Sequence, residues 1–122
     1  MPIIQIQHSS PLQTIAQPQI QKIAQTFADS IGKPVERVIV SLIKIENLYY
    51  QGNFEPAAFI NVASIGKLSA EENVRHGKVG TQVVSELLEI NAGRILMKFE
   101  PCLGCNIAIN GETKGALDGS GP

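Results

Sequence analysis

Hydrophobic and polar positions follow two different periods in the first third of the chain. Residues 3–7 alternate apolar and polar side chains, which predicts a half-buried strand. Between Pro18 and Gly32 apolar residues recur at spacings of three and four, which predicts an amphipathic helix that starts at the proline and ends at the glycine. Its apolar stripe consists of Ile20, Ile23, Ala24, Phe27 and Ile31.

The middle of the chain repeats this strand and helix pattern. Residues 37–45 are β-branched at positions of both parities, which is typical of a strand that is buried on both faces. Residues 49–56 carry Gly52 and Asn53 and predict a turn. A second apolar strand over residues 57–64 is followed by the capping-box spacing Ser69-Ala70-Glu71-Glu72, which predicts a helix running to about Glu89.

A further strand is predicted over residues 94–99, and it reveals an internal repeat. A shift of 57 positions lays residues 37–40 on residues 94–97 and the first helix on the second. The chain therefore predicts two βαβ units in tandem, an α+β fold with a four-stranded mixed sheet and two helices on one face. Beyond it we expect a short strand or hairpin near residues 106–110 and a flexible tail over about residues 112–122.

The repeat also predicts assembly. Right-handed crossovers place both helices on the same side of the sheet, so the other side is left bare although its strands carry apolar residues on both faces. A chain of 122 residues forms one domain and has no further element to cover that side. Association of identical chains through their sheets is the expected solution.

Composition and charge exclude several classes of function. Lys and Arg number 10 and Asp and Glu number 11, so the net charge is −1 and no basic surface for nucleic acid or an anionic membrane is expected. The longest apolar run, residues 38–45, is too short to cross a bilayer. The first residues lack the pattern of a signal peptide, so we expect a cytoplasmic protein.

Pro2 offers a chemistry that no internal residue can provide. Removal of Met1 would make Pro2 a free secondary amine at the start of a strand, and its pKa would respond to burial and to neighbouring charge. With Met1 attached, the same nitrogen is an amide and is not basic. Two cysteines, Cys102 and Cys105, have the spacing of a redox pair or of half a metal site, although two reduced, unpaired thiols flanking a turn are favoured over either.

Several motifs, taken together, resemble the tautomerase superfamily, and within it the family of macrophage migration inhibitory factor and D-dopachrome tautomerase. The resemblance runs from Pro2 to about Gly111. It implies a homotrimer with active sites at the subunit interfaces, no cofactor and no metal. The matching residues are Pro2, Gly32-Lys33-Pro34 with Arg37, Glu55-Pro56, Ser64-Ile65-Gly66-Lys67 and Arg94-Ile95-Leu96.

The resemblance implies a keto–enol tautomerase that acts on a small keto or enol acid such as phenylpyruvate or D-dopachrome. Pro2 would be the general base, and Lys33 would hold the substrate carboxylate or the developing enolate oxygen. The remaining substrate-binding positions are the Ile65 amide with Ser64 beside it, the apolar walls Tyr50 and Ile107, and Arg37 and Lys98 from a neighbouring subunit.

This chain also departs from the family pattern. The migration inhibitory factor branch carries an aromatic residue where this chain has Leu96 and an asparagine where it has Lys98, whereas the basic residues Arg37 and Lys98 resemble the D-dopachrome branch. The family's cysteine pair is absent, because residues 57–60 here are Ala-Ala-Phe-Ile. Besides a cytoplasmic location, the resemblance implies a second possibility, which is secretion without a leader peptide.

Other interpretations remain open at this point. Lys33 also suits the end of a helix dipole, Arg37 and Arg94 also suit solvated strand starts, and Tyr50 and Ser64 also suit packing and turn roles. The competing functions are a non-catalytic, cytokine-like interaction protein, a decarboxylase or hydratase of the same superfamily, and thiol redox chemistry at Cys102 and Cys105.

Overall fold

A computed structural model describes residues 1–115 of the chain. These residues form six strands, two helices and three short 3-10 turns. The helices and strands are β1 (Ile3–His8), α1 (Gln17–Ile31), β2 (Ile39–Lys44), β3 (Ala58–Ile65), α2 (Ala70–Leu88), β4 (Ile95–Cys102), β5 (Ala108–Ile109) and β6 (Glu112–Thr113). The 3-10 turns are Val35–Arg37, Ala92–Arg94 and Gly104–Asn106.

The four long strands form one mixed sheet in the order β2-β1-β3-β4. β1 lies parallel to β2 and antiparallel to β3, and β3 lies parallel to β4. Each parallel pair is joined through one helix, so the predicted tandem βαβ fold is confirmed. The offset of 57 residues also relates the turns Val35–Arg37 and Ala92–Arg94 and the helix ends Ile31 and Leu88.

The hydrophobic core lies between the sheet and the two helices. Even-numbered residues of β1 and β3 face the helices and are buried, as period-two alternation requires. The predicted apolar stripe of α1 supplies the buried residues Ile23, Phe27 and Ile31, and Val84 and Leu88 of α2 complete the layer. Both helices therefore cover one face, as predicted.

The helix ends follow the signals in the sequence. The Ser69 hydroxyl accepts a hydrogen bond from the Glu72 amide at 3.1 Å, and the Glu72 carboxylate accepts one from the Ser69 amide at 3.2 Å. Hydrogen bonds from the Ser69 side chain and backbone hold the pKa of the Glu72 carboxyl below its usual value. Gly32 ends α1 with φ +79°, where its amide donates to the Ala28 carbonyl at 2.8 Å.

Some boundaries differ from the predicted ones. β2 begins at Ile39 rather than residue 37, because Val35–Arg37 form a 3-10 turn in which the Arg37 amide donates to the Pro34 carbonyl. β4 extends three residues beyond the predicted end, to Cys102. The hairpin expected near residues 106–110 lies slightly further along the chain, because β5 pairs with β6 at Glu112–Thr113, at the start of the stretch expected as a flexible tail. Of the predicted tail, residues 116–122 lie outside the described residues.

The other face of the sheet is open in a single chain. Ile43, Ile39 and Leu96 point to this face and are 55, 52 and 45 % exposed. The register places Ile43, Gln7, Phe59 and Leu96 in one row across the four strands. The neighbouring row is polar and consists of Ser41, Gln5, Asn61 and Lys98.

Close packing between the helices and the sheet leads to a prediction at Gly80. A Cβ atom added there would lie 2.6 Å from the Phe27 ring and 2.8 Å from the Met97 methyl group. Replacing Gly80 by Ala should therefore lower the free energy of unfolding by about 1–3 kcal/mol, since overpacking outweighs the better helix propensity of alanine. Urea unfolding followed by circular dichroism measures this change.

Gly77 provides a matched control on the same helix. A Cβ atom at Gly77 would meet nothing within 4 Å. Gly77→Ala should therefore raise the free energy of unfolding by about 0.5–1 kcal/mol through helix propensity alone. Equal effects of the two substitutions would contradict the packing argument.

Candidate functional site

Pro2 is fixed at one end of the central strand pair. Ile3 pairs with Ile39 on β2 and with Ala63 on β3, so continuing the register by one residue places Pro2 between Val38 and Ser64. The Pro2 carbonyl accepts a hydrogen bond from the Ile39 amide at 3.0 Å, and the side chain is less than 2 % exposed. The residue therefore has a defined place in a buried environment.

The chain that leaves β3 passes directly beside Pro2. Ser64 is fully buried, and its hydroxyl has no hydrogen-bond partner among the described residues. Ile65 pairs with Cys102, and Gly66 and Lys67 then turn the chain toward α2 with φ angles of +73° and +68°. A buried hydroxyl without a partner is uncommon, and here it lies next to the residue with the candidate base.

Two cationic side chains lie on the segment that joins the end of α1 to the start of β2. Because β2 is parallel to β1, this segment is at the end of the sheet where Pro2 lies. The amides of Gly32 and Lys33 both donate to the Ala28 carbonyl, which closes the helix and aims the chain at β2. Arg37 ends the 3-10 turn two residues before Ile39. Neither the Lys33 ammonium nor the Arg37 guanidinium has a hydrogen-bond or ion-pair partner within residues 1–115. Both charges are therefore available to a ligand.

Two other predicted site residues lie away from Pro2 within one chain. Lys98 is in the middle of β4, opposite Asn61, on the open face of the sheet. Tyr50 lies at the far end, where its ring packs under the Arg94 guanidinium at 5.7 Å. A six-residue strand spans about 20 Å, so Tyr50 of the same chain cannot contact a molecule at Pro2.

Cys102 is the last residue of β4 and pairs with Ile65, and Cys105 and Ile107 follow it. Ile107 is half-buried, and its carbonyl accepts a hydrogen bond from the Lys114 amide at 2.8 Å. Cys102 and Cys105 are free thiols, and both are partly buried. The Cys102 thiol contacts the Glu100 carbonyl at 3.5 Å, and the Cys105 thiol contacts the Asn106 side chain at 3.8 Å.

Arg94 has a structural role that the sequence did not reveal. Its guanidinium donates to the carbonyls of Pro56, Tyr50 and Glu55 at 3.0 Å each, and to the Gln51 side chain at 3.2 Å. These bonds fix the turn over residues 50–56 against the start of β4. The solvated strand start that the sequence suggested for Arg94 does not describe this arrangement.

Within residues 1–115 no three His, Cys, Asp or Glu side chains are grouped as a metal ion would require. Neither α1 nor α2 combines the length and the hydropathy of a helix that crosses a bilayer.

The far end of β1 holds a buried imidazole. His8 is 3 % exposed, and its Nδ1 accepts a hydrogen bond from the Ser10 amide at 3.1 Å, so in the neutral ring the proton is on Nε2. Burial, assisted by the charge of Lys44, lowers the pKa of the His8 imidazole below its usual value. His8 therefore favours the neutral form in the folded chain.

Comparisons with known proteins agree on one family. The family described as macrophage migration inhibitory factor matches residues 1–115. A structure of a macrophage migration inhibitory factor homologue from Prochlorococcus marinus has a TM-score of 0.86 and 30 % identity, and the match covers 93 % of this chain and 99 % of that one.

Two curated relatives match most of this chain in amino-acid sequence. Macrophage migration inhibitory factor of Meriones unguiculatus is 23 % identical over 113 residues, which is 93 % of this chain and 98 % of the relative. D-dopachrome decarboxylase of Xenopus tropicalis is 29 % identical over 102 residues, which is 83 % of this chain and 86 % of the relative.

The buried imidazole leads to a prediction about pH. Because the pKa of His8 is lower in the folded chain than in the unfolded chain, the unfolded chain binds more protons below about pH 6.5, the usual histidine value. The free energy of unfolding should therefore be steady above about pH 7 and should fall as the pH decreases from 6.5 to 5. Urea titrations at a series of pH values measure it.

His8→Asn is the matched control, because asparagine keeps an acceptor near the Ser10 amide and does not titrate. The decline between pH 6.5 and 5 should be smaller in this variant. Identical pH profiles of the variant and the unsubstituted chain would show that His8 is not the source.

Proposed function

Because this chain belongs to the macrophage migration inhibitory factor family, we propose that it is a keto–enol tautomerase whose general base is the Pro2 amine. The observation that supports the proposal most directly is that Pro2 lies at a buried strand end beside Ser64 and the Ile65 segment, while Lys33, whose ammonium has no partner within residues 1–115, lies on the segment that leads from α1 to β2. These groups come from three separate segments of the chain.

The proposed reaction is a proton transfer between carbon and oxygen. The neutral Pro2 nitrogen removes a proton from the carbon next to a carbonyl, and the electron pair of the broken C–H bond becomes the enolate. The Lys33 ammonium and the Ile65 amide stabilise the negative oxygen, which then takes the proton back from the protonated Pro2 nitrogen, so that the enol forms and the neutral base is restored. The reverse sequence regenerates the keto form, so no cofactor is consumed.

The surroundings of Pro2 favour the neutral amine that this step needs. An α-amino group titrates at about pH 7.7–8.0, so part of it is neutral even in water. Burial of Pro2 and nearby positive charge both disfavour protonation. The base exists only after Met1 has been removed, because the Pro2 nitrogen is otherwise an amide.

The charges favour a small acidic substrate. Lys33, Arg37 and Lys98 have no side-chain partner within residues 1–115. A carboxylate bound by one of them would orient a keto acid while the carbonyl approaches Pro2. We place Lys33, Ile65 and Ser64 in this substrate site, with Ile107 as a wall, and we take phenylpyruvate and D-dopachrome as representative substrates.

A homotrimer would complete this site. The open sheet face exposes Ile39, Ile43 and Leu96, and an apolar surface of this kind favours association. Neighbouring copies would cover it and would bring Lys98 and Tyr50 of one chain toward Pro2 of another. Arg37 would lie at the same interface.

A superfamily decarboxylase is the second candidate, because the Xenopus tropicalis relative is named D-dopachrome decarboxylase. In that reaction the C–C bond to the substrate carboxylate breaks and carbon dioxide leaves. Carbon dioxide release from D-dopachrome, measured beside the formation of the enol product, separates the two candidates.

Pro2→Gly tests the proposed base. Glycine leaves a primary amine with a different pKa and without the fixed ring, and loss of a general base costs about 10²–10⁴-fold in rate. We expect the kcat/KM for phenylpyruvate and D-dopachrome to fall by at least about 100-fold. Intact mass must first show that Met1 is absent from the unsubstituted protein.

A second preparation that retains one residue before Pro2 provides the control. It keeps the proline ring, but its Pro2 nitrogen is an amide and is no longer basic. It should be as inactive as Pro2→Gly. Activity that is indifferent to both changes would overturn the role of Pro2 and leave the interaction protein as the better account.

Ile43→Lys tests the trimer. The side chain is 55 % exposed in one chain, so a lysine there should cost the folded chain little but should oppose burial against a second copy. We expect light scattering to show a trimer for the unsubstituted protein and a monomer for the variant, with loss of most tautomerase activity.

Val74→Lys is the matched control, since Val74 is 74 % exposed and lies on α2, on the covered side of the sheet. It should leave the molecular mass and the activity unchanged. A monomeric unsubstituted protein would refute the proposed assembly.

A further inference from the structure

A buried histidine connects the turn at Pro2 to both helices. His76 of α2 is fully buried. Its Nε2 lies 2.8 Å from the Lys67 carbonyl oxygen, and its Nδ1 lies 2.6 Å from the Ser30 hydroxyl on α1. The ring also contacts Phe99 of β4, with 6.2 Å between ring centroids. One side chain thus contacts α1, β4 and the turn that follows β3.

The partners of His76 fix the position of its proton. The Lys67 carbonyl can only accept a hydrogen bond, so Nε2 carries the hydrogen. Nδ1 then accepts the hydrogen of the Ser30 hydroxyl. The neutral ring has both nitrogens satisfied, and its donor side is directed at the turn.

The turn needs such a support. Gly66 and Lys67 are consecutive residues with positive φ, and Lys67 bears a side chain, which makes this conformation unfavourable by about 1–2 kcal/mol on general grounds. Ile65 is tied to β4 on one side, and the capping box at Ser69 fixes the start of α2 on the other. Among the described residues, His76 is the one side chain hydrogen-bonded to residues 65–67.

We propose that His76 is a positioning residue of the Pro2 site, acting through the Lys67 carbonyl to set the Ile65 amide relative to Pro2. The proposal rests on the tautomerase function proposed above. His76 does not contact the substrate in this arrangement. It holds the Gly66-Lys67 turn through the Lys67 carbonyl, and with the turn the Ile65 amide to which the oxyanion role is assigned.

A purely structural role would act through a different contact. Ser30 links His76 to α1, and the Arg75 guanidinium donates to the Ser30 carbonyl at 2.8 Å, so this corner also ties the two helices together. If His76 mattered only for the helix pair, loss of the Ser30 hydroxyl would be as damaging as loss of the contact with Lys67. The two contacts can be cut separately.

Three variants, each prepared without Met1, separate these roles. His76→Phe keeps a ring beside Phe99 and removes both hydrogen bonds. His76→Gln keeps an N–H donor that can reach the Lys67 carbonyl, and Ser30→Ala removes only the link to α1. Tm values, kcat and KM are measured for all three and for the unsubstituted protein.

We expect His76→Phe to lower kcat by about 10–100-fold with a smaller change in KM, because a displaced oxyanion donor weakens mainly the transition state. His76→Gln should retain kcat within about threefold, and Ser30→Ala should do the same although its Tm falls by several degrees. Equal losses of kcat in His76→Phe and Ser30→Ala, or an unchanged kcat in His76→Phe, would overturn the proposal.

Amide hydrogen exchange gives a reading that does not depend on activity. In His76→Phe the amides of residues 65–68 should exchange at least about tenfold faster, while those of Ser30→Ala and His76→Gln stay near the unsubstituted rates. An unsubstituted protein without tautomerase activity would refute the proposed function, and the exchange rates would still decide whether His76 holds the turn. Unchanged exchange in His76→Phe would refute the role of His76 itself.

Discussion

The position of β1 between a parallel and an antiparallel neighbour is the constraint on which the rest of the structure depends. β1 is one of the two interior strands of the sheet, and the Pro2 carbonyl just before it accepts a hydrogen bond from the Ile39 amide of β2. The register of both neighbours then decides which residues meet the N-terminus. Ser64 and Val38 lie there because Ala63 and Ile39 pair with Ile3.

The architecture could be predicted from the sequence because local and global signals agree. The apolar stripe of α1, its terminal Gly32 and the capping box of α2 are each local, and the offset of 57 residues joins them into two equivalent units. The predicted bounds of the strands were less accurate. β2 starts late because Val35–Arg37 satisfy their backbone groups in a 3-10 turn, and no side-chain pattern announces that turn.

The residues of the candidate site also differ in how well the sequence predicts their positions. Ser64 and Ile65 could be placed at the Pro2 end of the sheet because they end a strand whose order was predicted, and Lys33 could be placed after α1 because Gly32 ends that helix. Tyr50 could not, since its position depends on the bonds of Arg94 to the turn over residues 50–56, which are contacts between segments far apart in sequence. His76 was missed for the same reason. A single histidine within a helix carries no signal until its partners Ser30 and Lys67 are known.

The internal repeat places two arginines, Arg37 and Arg94, at equivalent points of the two halves. Arg94 is bound to four oxygen atoms and closes a turn, whereas the Arg37 guanidinium has no partner within residues 1–115. If the halves descend from one duplicated unit, the same residue has diverged into a structural arginine in one copy and a free cation in the other. Duplication of a half-domain then lets one copy of a residue keep a structural contact while the other copy is released from it.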